Sequence, residues 1–552
     1  MEYANLAQLA NLSPFELKDT LIQLASSHAE RTMLNAGRGN PNWLATIPRH
    51  GFFTLGQFAM EEAERSYGYL RQGVGGLPER TGMEARFEVF LARHGGSTGA
   101  AFLKAALSYA RDALGLPADG VLYEMVESIL GCQYPVPPRM LHHSEAIVRQ
   151  YLLKEMTAGR AISGKIDLFA TEGGAAAITY VFNTLRENRL IAPGDSIALG
   201  MPIFTPYIEI PQLGDYQLVE ILLEADEKNR WQYPDREIDK LADPKVKAFF
   251  LVNPGNPSSV KISDDRLSRI ARLVAERRPD LIILTDDVYG TFADDFVSLF
   301  TACPHNTILA YSYSKYFGAT GWRLGVIALH EDNVLDRRLA ALPQSDLAAL
   351  DDRYKSLVAE PRKLKFIDRL VADSRSVGLN HVAGLSCPQQ VQMVLFSLFA
   401  LKDERDEYKA EMKHIIRQRY HNLYRHVGAD RGDDVNAVDY YTLIDLEALG
   451  EQRHGRAFAD WLLANKEPTE PLARLAEEGG VVLLPGQGFG TLHPSARVSL
   501  ANLRDVDYAR IGEVVSTILD KYHQEFTQAG GATTQQKKPK IRSTHRHHPE
   551  PR

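Results

Sequence analysis

The stretch TILAYSYSKYFGATGWRLGVIAL, residues 307–329, sets two short apolar runs around a polar turn that carries one lysine and one arginine. TILAY (307–311) and LGVIAL (324–329) are too short for helices and rich in strand-forming residues, so they read as buried strands. Lys315, bracketed by Ser312 and Ser314, follows the first run, and Arg323 precedes the second. Runs of the same kind recur upstream as IDLFA (166–170), SIALG (196–200), QLVEILL (217–223), VKAFFLV (246–252) and LIILT (281–285). Helical or loop segments separate them. That alternation predicts an α/β fold, with a mostly parallel seven-stranded sheet covered by helices on both faces.

Outside this region the rhythm changes. Residues 14–33 predict an amphipathic helix, with Ser13 as N-cap and Pro14 in the first turn. From 46 to 130 the pattern is helical, broken at YLRQGVGGLPERTG and ARHGGSTGAAF, and helices dominate again from about 335 to 425. VDYYTLIDL (438–446), VVLLPGQGFG (481–490) and ARVSLAN (496–502) predict a second, smaller α/β domain. The expected partition is an arm and loop at 1–45, a helical insertion at 46–130, a large domain at 131–345, a small domain with a helical extension at 346–525, and a disordered tail at 526–552.

A chain of 552 residues exceeds one compact core. A net charge of -7 leaves no electrostatic footprint for nucleic acid or an anionic membrane surface, so a small-molecule substrate is expected. Cys132, Cys303 and Cys387 lack any CxxC spacing, which argues against a disulfide framework or a zinc site and for a reducing cytoplasm. The HRHH of the tail reads as solvated, and no metal is expected. The N-terminus carries Glu2 where a signal peptide is basic, and no apolar run reaches the ~18 residues of a membrane helix.

In open α/β sheets ligands bind beyond the carboxyl ends of the strands. After IDLFA comes TEGGAAAI (171–178), where Gly173, Gly174 and Ala175 let backbone N–H groups approach an anion, or simply make a tight turn. After VKAFFLV comes NPGNPSS (253–259), which presents the Asn256 amide or again serves as a turn. After LIILT comes DDVYGTF (286–292); Asp286 there is a helix cap, or a buried carboxylate that needs a cation to offset its desolvation. Tyr289 lies three residues on. Ser312, Ser314 and Arg323 suit a phosphate, and Lys315 can form an imine with an aldehyde.

In this order the motifs resemble the fold-type I pyridoxal-phosphate enzymes of the aspartate aminotransferase class, over residues 134 to 502. The resemblance implies pyridoxal 5'-phosphate as cofactor. Gly173, Gly174 and Ala175 match the phosphate turn, Ser312, Ser314 and Arg323 further phosphate ligands, and Phe204 in PIFTPY the ring stacked on the cofactor. Asn256 and Tyr289 match the partners of the ring oxygen, Asp286 that of the ring nitrogen, and Lys315 the Schiff-base lysine. Arg497 matches the arginine for the substrate α-carboxylate, with Gly39 and Asn256 also beside the substrate; Arg38 of LNAGRGNPNW (34–43) is a mobile contact near the distal carboxylate, or a solvent-facing loop arginine. Tyr134 in CQYPVPP, rather than Tyr67 in RSYGYL, matches the tyrosine that reaches a neighbouring subunit's phosphate.

The length and the insertions are similar to those members of the class that release the β-carboxylate of L-aspartate to give L-alanine, with aspartate aminotransferase activity beside it. That likeness implies homodimers with shared active sites, assembled into a larger oligomer, a dodecamer. The alternatives are a plain aspartate or aromatic aminotransferase with inserted helices, and a non-enzymatic regulator on the same fold. Intact Lys315, Asp286 and Arg497 count against the second.

Overall fold

The computed structural model describes residues 9, 12, 14–26, 32–213, 216–376, 384–429, 432–491 and 494–530. The seven apolar runs are the seven strands of the large sheet: β1 Ile166–Thr171, β2 Ser196–Met201, β3 Val219–Glu224, β4 Val246–Val252, β5 Ile282–Asp286, β6 Thr307–Ser312 and β7 Gly325–His330. Their spatial order is β1-β7-β6-β5-β4-β2-β3. β7 runs antiparallel to both β1 and β6, and the other pairings are parallel.

All residues of β1, β6 and β7 are buried, as expected of strands with both faces covered. Alternate side chains enter separate cores: Phe250, Ile282 and Leu284 join one, Phe249, Leu251 and Ile283 the other. The sheet register aligns the chemistry. Gly325 lies opposite both Thr171 and Ser312, so the end of β1, the end of β6 and the start of β7 share one edge. The antiparallel β7 therefore brings Arg323, which precedes it, to the carboxyl ends of its neighbours.

A three-stranded antiparallel sheet, ordered β9-β10-β8 from β8 Tyr441–Asp445, β9 Leu484–Pro485 and β10 Ser495–Ser499, forms the smaller unit with the packed helices Glu407–Val427 and Asp505–Gln528. Of the helix expected over 14–33, Pro14–Ser26 is helical and Thr32 and Met33 are not; beyond them Leu34–Asn35 pair in parallel with Val481–Val482. That pairing ties the N-terminal loop to the small unit. Ser13 and residues 531–552 lie outside the described residues; within the stretch read as a tail, the last helix continues to Gln528.

Residues 46–130 form the helices Thr46–Ser66, Met83–Arg93, Thr98–Asp112 and Ala118–Leu130. Three of them pack on Cys387–Lys402, and Phe58, Phe87 and Phe90 are fully buried between them. Each such ring contributes about 1.5–3 kcal/mol by leaving water. The helix Thr46–Ser66 and the loop before it also dock on the turn after Lys315: Arg49 donates to the carbonyls of Phe317 at 3.0 Å and Gly318 at 2.7 Å, and Trp43 Nε1 donates to Tyr316 O at 3.1 Å. Among the described residues no helix is long and apolar enough to cross a membrane, and no group of three metal-binding side chains occurs.

Candidate active site

The strand ends meet at a cradle of bare backbone. Gly173 has φ +99°, and a Cβ there would lie 2.4 Å from Arg323 Nη2; a Cβ on Gly325 would lie 2.5 Å from the Gly173 carbonyl carbon. Only glycine allows this approach. Gly174 opens the helix Gly174–Glu187, so its first N–H groups and the positive end of its dipole face the cradle. Behind it the buried Ser312 hydroxyl donates to Ser314 Oγ at 2.9 Å. The set is rich in donors, and Arg323 supplies a cation. It fits a phosphate.

At the end of β5, Asp286 keeps some exposed surface, but its carboxyl is enclosed by protein, and burial pushes its pKa up to about 6. The Val288 N–H at 3.2 Å, the Tyr207 hydroxyl at 3.3 Å and the Lys315 charge oppose that rise without cancelling it. An enclosed carboxylate so poorly compensated is suited to a cationic partner such as a protonated ring nitrogen. The next residue, Asp287, is fully buried; desolvation pushes it up to about 7, against the Ser298 and Thr285 hydroxyls.

Above this floor, Tyr289 is buried, and its hydroxyl pairs with the Tyr441 hydroxyl at 2.9 Å. Arg497, on β10 and 4% exposed, donates from Nη1 to Asn256 Oδ1 at 3.1 Å and from Nη2 to Gly37 O at 2.7 Å. Its Nε is buried with no hydrogen-bond partner among the described residues, and its guanidinium lies over the rings of Tyr441 and Phe489. Lys315 Nζ donates to Gly39 O at 3.0 Å, and Tyr440 donates to the same carbonyl at 2.8 Å. The loop 34–43 thus closes over the site, with the Gly37 carbonyl on the arginine and the Gly39 carbonyl on the lysine.

Lys315 meets Gly39, Arg497 meets Asn256, Tyr289 meets Tyr441, and the Lys315 charge reaches Asp286, while Gly173, Gly174, Ser312, Ser314 and Arg323 gather at the cradle. Ala175 follows in the first turn of the helix. Phe204 stands at the sheet end, 38% exposed. Tyr134 is 59% exposed, and Arg38 points outward between Gly37 and Gly39 with no hydrogen bond or ion pair among the described residues. Tyr67 packs on Tyr69 in the insertion. Sequence reasoning missed Tyr207, Tyr440, Tyr441 and the Gly37 carbonyl. Tyr207 lies in the quoted PIFTPY, three residues past Phe204, where a first helical turn puts both on one side; the tyrosine pair of VDYYTLIDL carried only a strand signal.

Phosphate cradle, enclosed carboxylate and lysine amine together fit pyridoxal phosphate. The family model described as aminotransferase class I and II matches residues 152–515. A bifunctional aspartate aminotransferase and L-aspartate beta-decarboxylase of Pseudomonas is 58% identical over 522 residues, 95% of this chain and 98% of that one. Among solved structures, the aspartate aminotransferase of Rhizobium meliloti superposes with TM-score 0.58 at 17% identity, covering 92% of this chain and 96% of the other. That of Thermus thermophilus with maleate gives 0.57 at 14%, with the same coverage. At such identities these two share the fold alone; the family match and the full-length relative carry the assignment. The chain belongs to the class I and II aminotransferases.

Proposed function

We propose that the protein is a pyridoxal-phosphate enzyme that removes the β-carboxylate of L-aspartate to give L-alanine and CO2, with aspartate aminotransferase activity on the side. The observation that carries this is the 58% identity to the bifunctional Pseudomonas relative across 95% of the chain, because that span includes the helical insertion. The general family match at 152–515 leaves the insertion out.

Pyridoxal phosphate, when bound, supplies an electron sink joined to the substrate nitrogen, so that bonds at Cα and Cβ can break heterolytically. Ser312, Ser314, Arg323 and the N–H groups of Gly174 and Ala175 would hold its phosphate, and Phe204 would stack on its ring. Asp286 would pair with the ring nitrogen, and Asn256 and Tyr289 would meet the ring oxygen. Lys315 would carry the cofactor through Nζ and, once released, move the proton at Cα. Arg497 would take the α-carboxylate by exchanging Asn256 and Gly37 for it.

In the net reaction the bond from Cβ to the carboxylate carbon gives way to a Cβ–H bond, so CO2 leaves and a proton arrives. A tight bidentate grip on the β-carboxylate would stabilise the charge that must be lost. The exposed Arg38, in the loop over Lys315, is the proposed mobile contact for it. The exposure of Tyr134 supports a role at a neighbouring subunit's phosphate, in homodimers that assemble further.

The test is L-aspartate supplied without any 2-oxo acid. Sustained release of L-alanine and CO2 supports the proposal. A single half-turnover that stops until a 2-oxo acid is added would establish a plain aminotransferase instead. Light scattering coupled to gel filtration reads the assembly.

A further inference from the structure

One side chain touches both the carboxylate arginine and the Tyr289 hydroxyl. The Arg497 guanidinium carbon lies 4.3 Å from the centroid of the Tyr441 ring, and the Tyr441 hydroxyl lies 2.9 Å from that of Tyr289. Strand register sets this up: Tyr441 faces Ser499, and Leu443 faces Arg497, so Tyr441 and Arg497 are diagonal neighbours on one face of the small sheet. The Tyr441 backbone N–H is held by Ser259 Oγ at 2.8 Å. Gly39 closes the remaining space, since a Cβ there would sit 2.3 Å from the Tyr441 hydroxyl and 3.3 Å from Lys315 Nζ. All three side chains are almost fully buried: Tyr441 is 2% exposed, Tyr289 3% and Arg497 4%.

We infer that Tyr441 is a positioning residue that relays the occupancy of Arg497 to the Tyr289 hydroxyl. The inference rests on the proposed roles of Arg497 and Tyr289. Of two paired hydroxyls, one donates and the other accepts. A cation on the face of a phenol draws density from the ring and makes its O–H the better donor. With Arg497 unneutralised, Tyr441 donates to Tyr289, and the Tyr289 hydrogen is free to point into the cofactor site. A carboxylate on Arg497 cancels that bias and draws the guanidinium away from the ring, so the pair tips the other way.

In a water-poor site such a change passes along the hydrogen-bond chain. Burial, and then the Tyr441 and Tyr440 hydroxyls, push the Tyr289 phenol well above its ordinary pKa, while the Arg497 charge opposes this, so the arginine is electrostatically felt at that hydroxyl. Phenylalanine at 441 would keep the ring and lose the relay.

The test titrates the visible absorbance of bound pyridoxal phosphate against pH, with and without saturating maleate, a C4 dicarboxylate that does not react. In the parent, maleate should move the midpoint by about half a pH unit or more. In Tyr441→Phe that displacement should fall to less than about half the parent's, while the maleate Kd changes less than about threefold. Tyr440→Phe removes a hydroxyl bonded to Gly39 O and should keep the displacement. In a Tyr289→Phe background the further Tyr441→Phe change should add nothing. A full displacement in Tyr441→Phe, an equal loss in Tyr440→Phe, fully additive effects in the double variant, or no displacement in the parent would each overturn the relay. No turnover is measured, so a failure here is separate from a failure to form L-alanine.

Discussion

Asp286→Asn should change protein stability with opposite sign in the apoprotein and in the cofactor-loaded enzyme. In the apoprotein the Asp286 pKa rises from 3.8 to about 6 because burial disfavours the charge. That rise of roughly 2 units corresponds to about 3 kcal/mol of penalty on the ionised form. The sign follows from proton binding. Between about pH 4 and 6 the native state holds more protons on this group than the unfolded chain does, so stability falls as pH rises. Below that window both states are protonated and the penalty is absent; above it the penalty is complete.

Asparagine carries no charge and keeps an acceptor for the Val288 N–H, and the Tyr207 hydroxyl can turn to accept from the new amide. The apoprotein variant should therefore gain up to about 3 kcal/mol at pH 8 and nothing below pH 4. Loss of the like charge beside Asp287 adds to the gain. In the proposed arrangement the ring nitrogen of the bound cofactor would supply the missing cation, and the same substitution would remove a buried partner at a cost of about 3–5 kcal/mol. Urea unfolding midpoints of both forms across pH 4–8 measure this. An apoprotein variant destabilised at pH 8, or equally stabilised at both ends, would refute the reasoning.

Lys315→Ala should abolish turnover and the lysine-dependent visible absorbance; continued turnover with that absorbance unchanged overturns the assignment. Arg497→Lys keeps the charge but loses the fork that now spans Asn256 and Gly37, so maleate affinity should fall about 10–100-fold, read by absorbance titration. Arg49→Ala strips the Gly318 carbonyl of its described donor and loosens the lysine turn by about 2–4 kcal/mol. Hydrogen exchange over residues 315–319 should rise sharply, and Arg49→Lys should restore part of the protection.

The strands, and the place of several candidate site residues at their ends, were legible for local reasons. A run such as VKAFFLV, apolar on both faces and ended by Asn and Pro, has few ways to satisfy its backbone except as a covered strand. Residues directly after such runs, Asp286 and Lys315 among them, fall at the carboxyl edge whatever the rest of the chain does. The exact start of β8 and the pairing of Leu34–Asn35 with Val481–Val482 were less legible, since the partner strand lies far along the chain.

The tertiary structure alone decided the contacts between distant segments. Gly37 is an ordinary loop glycine by sequence, and resemblance alone set Gly39 beside the substrate; their carbonyls meet Arg497, 460 residues on, and Lys315, 276 residues on. Tyr441 reads as a strand residue, and only the register of β8 against β10 sets its ring beneath Arg497 and its hydroxyl on Tyr289. Residue type and local periodicity specify strands, turns and the chemistry available at their ends. Which hydroxyl meets which cation depends on sheet register and on packing between units, and no local propensity encodes either.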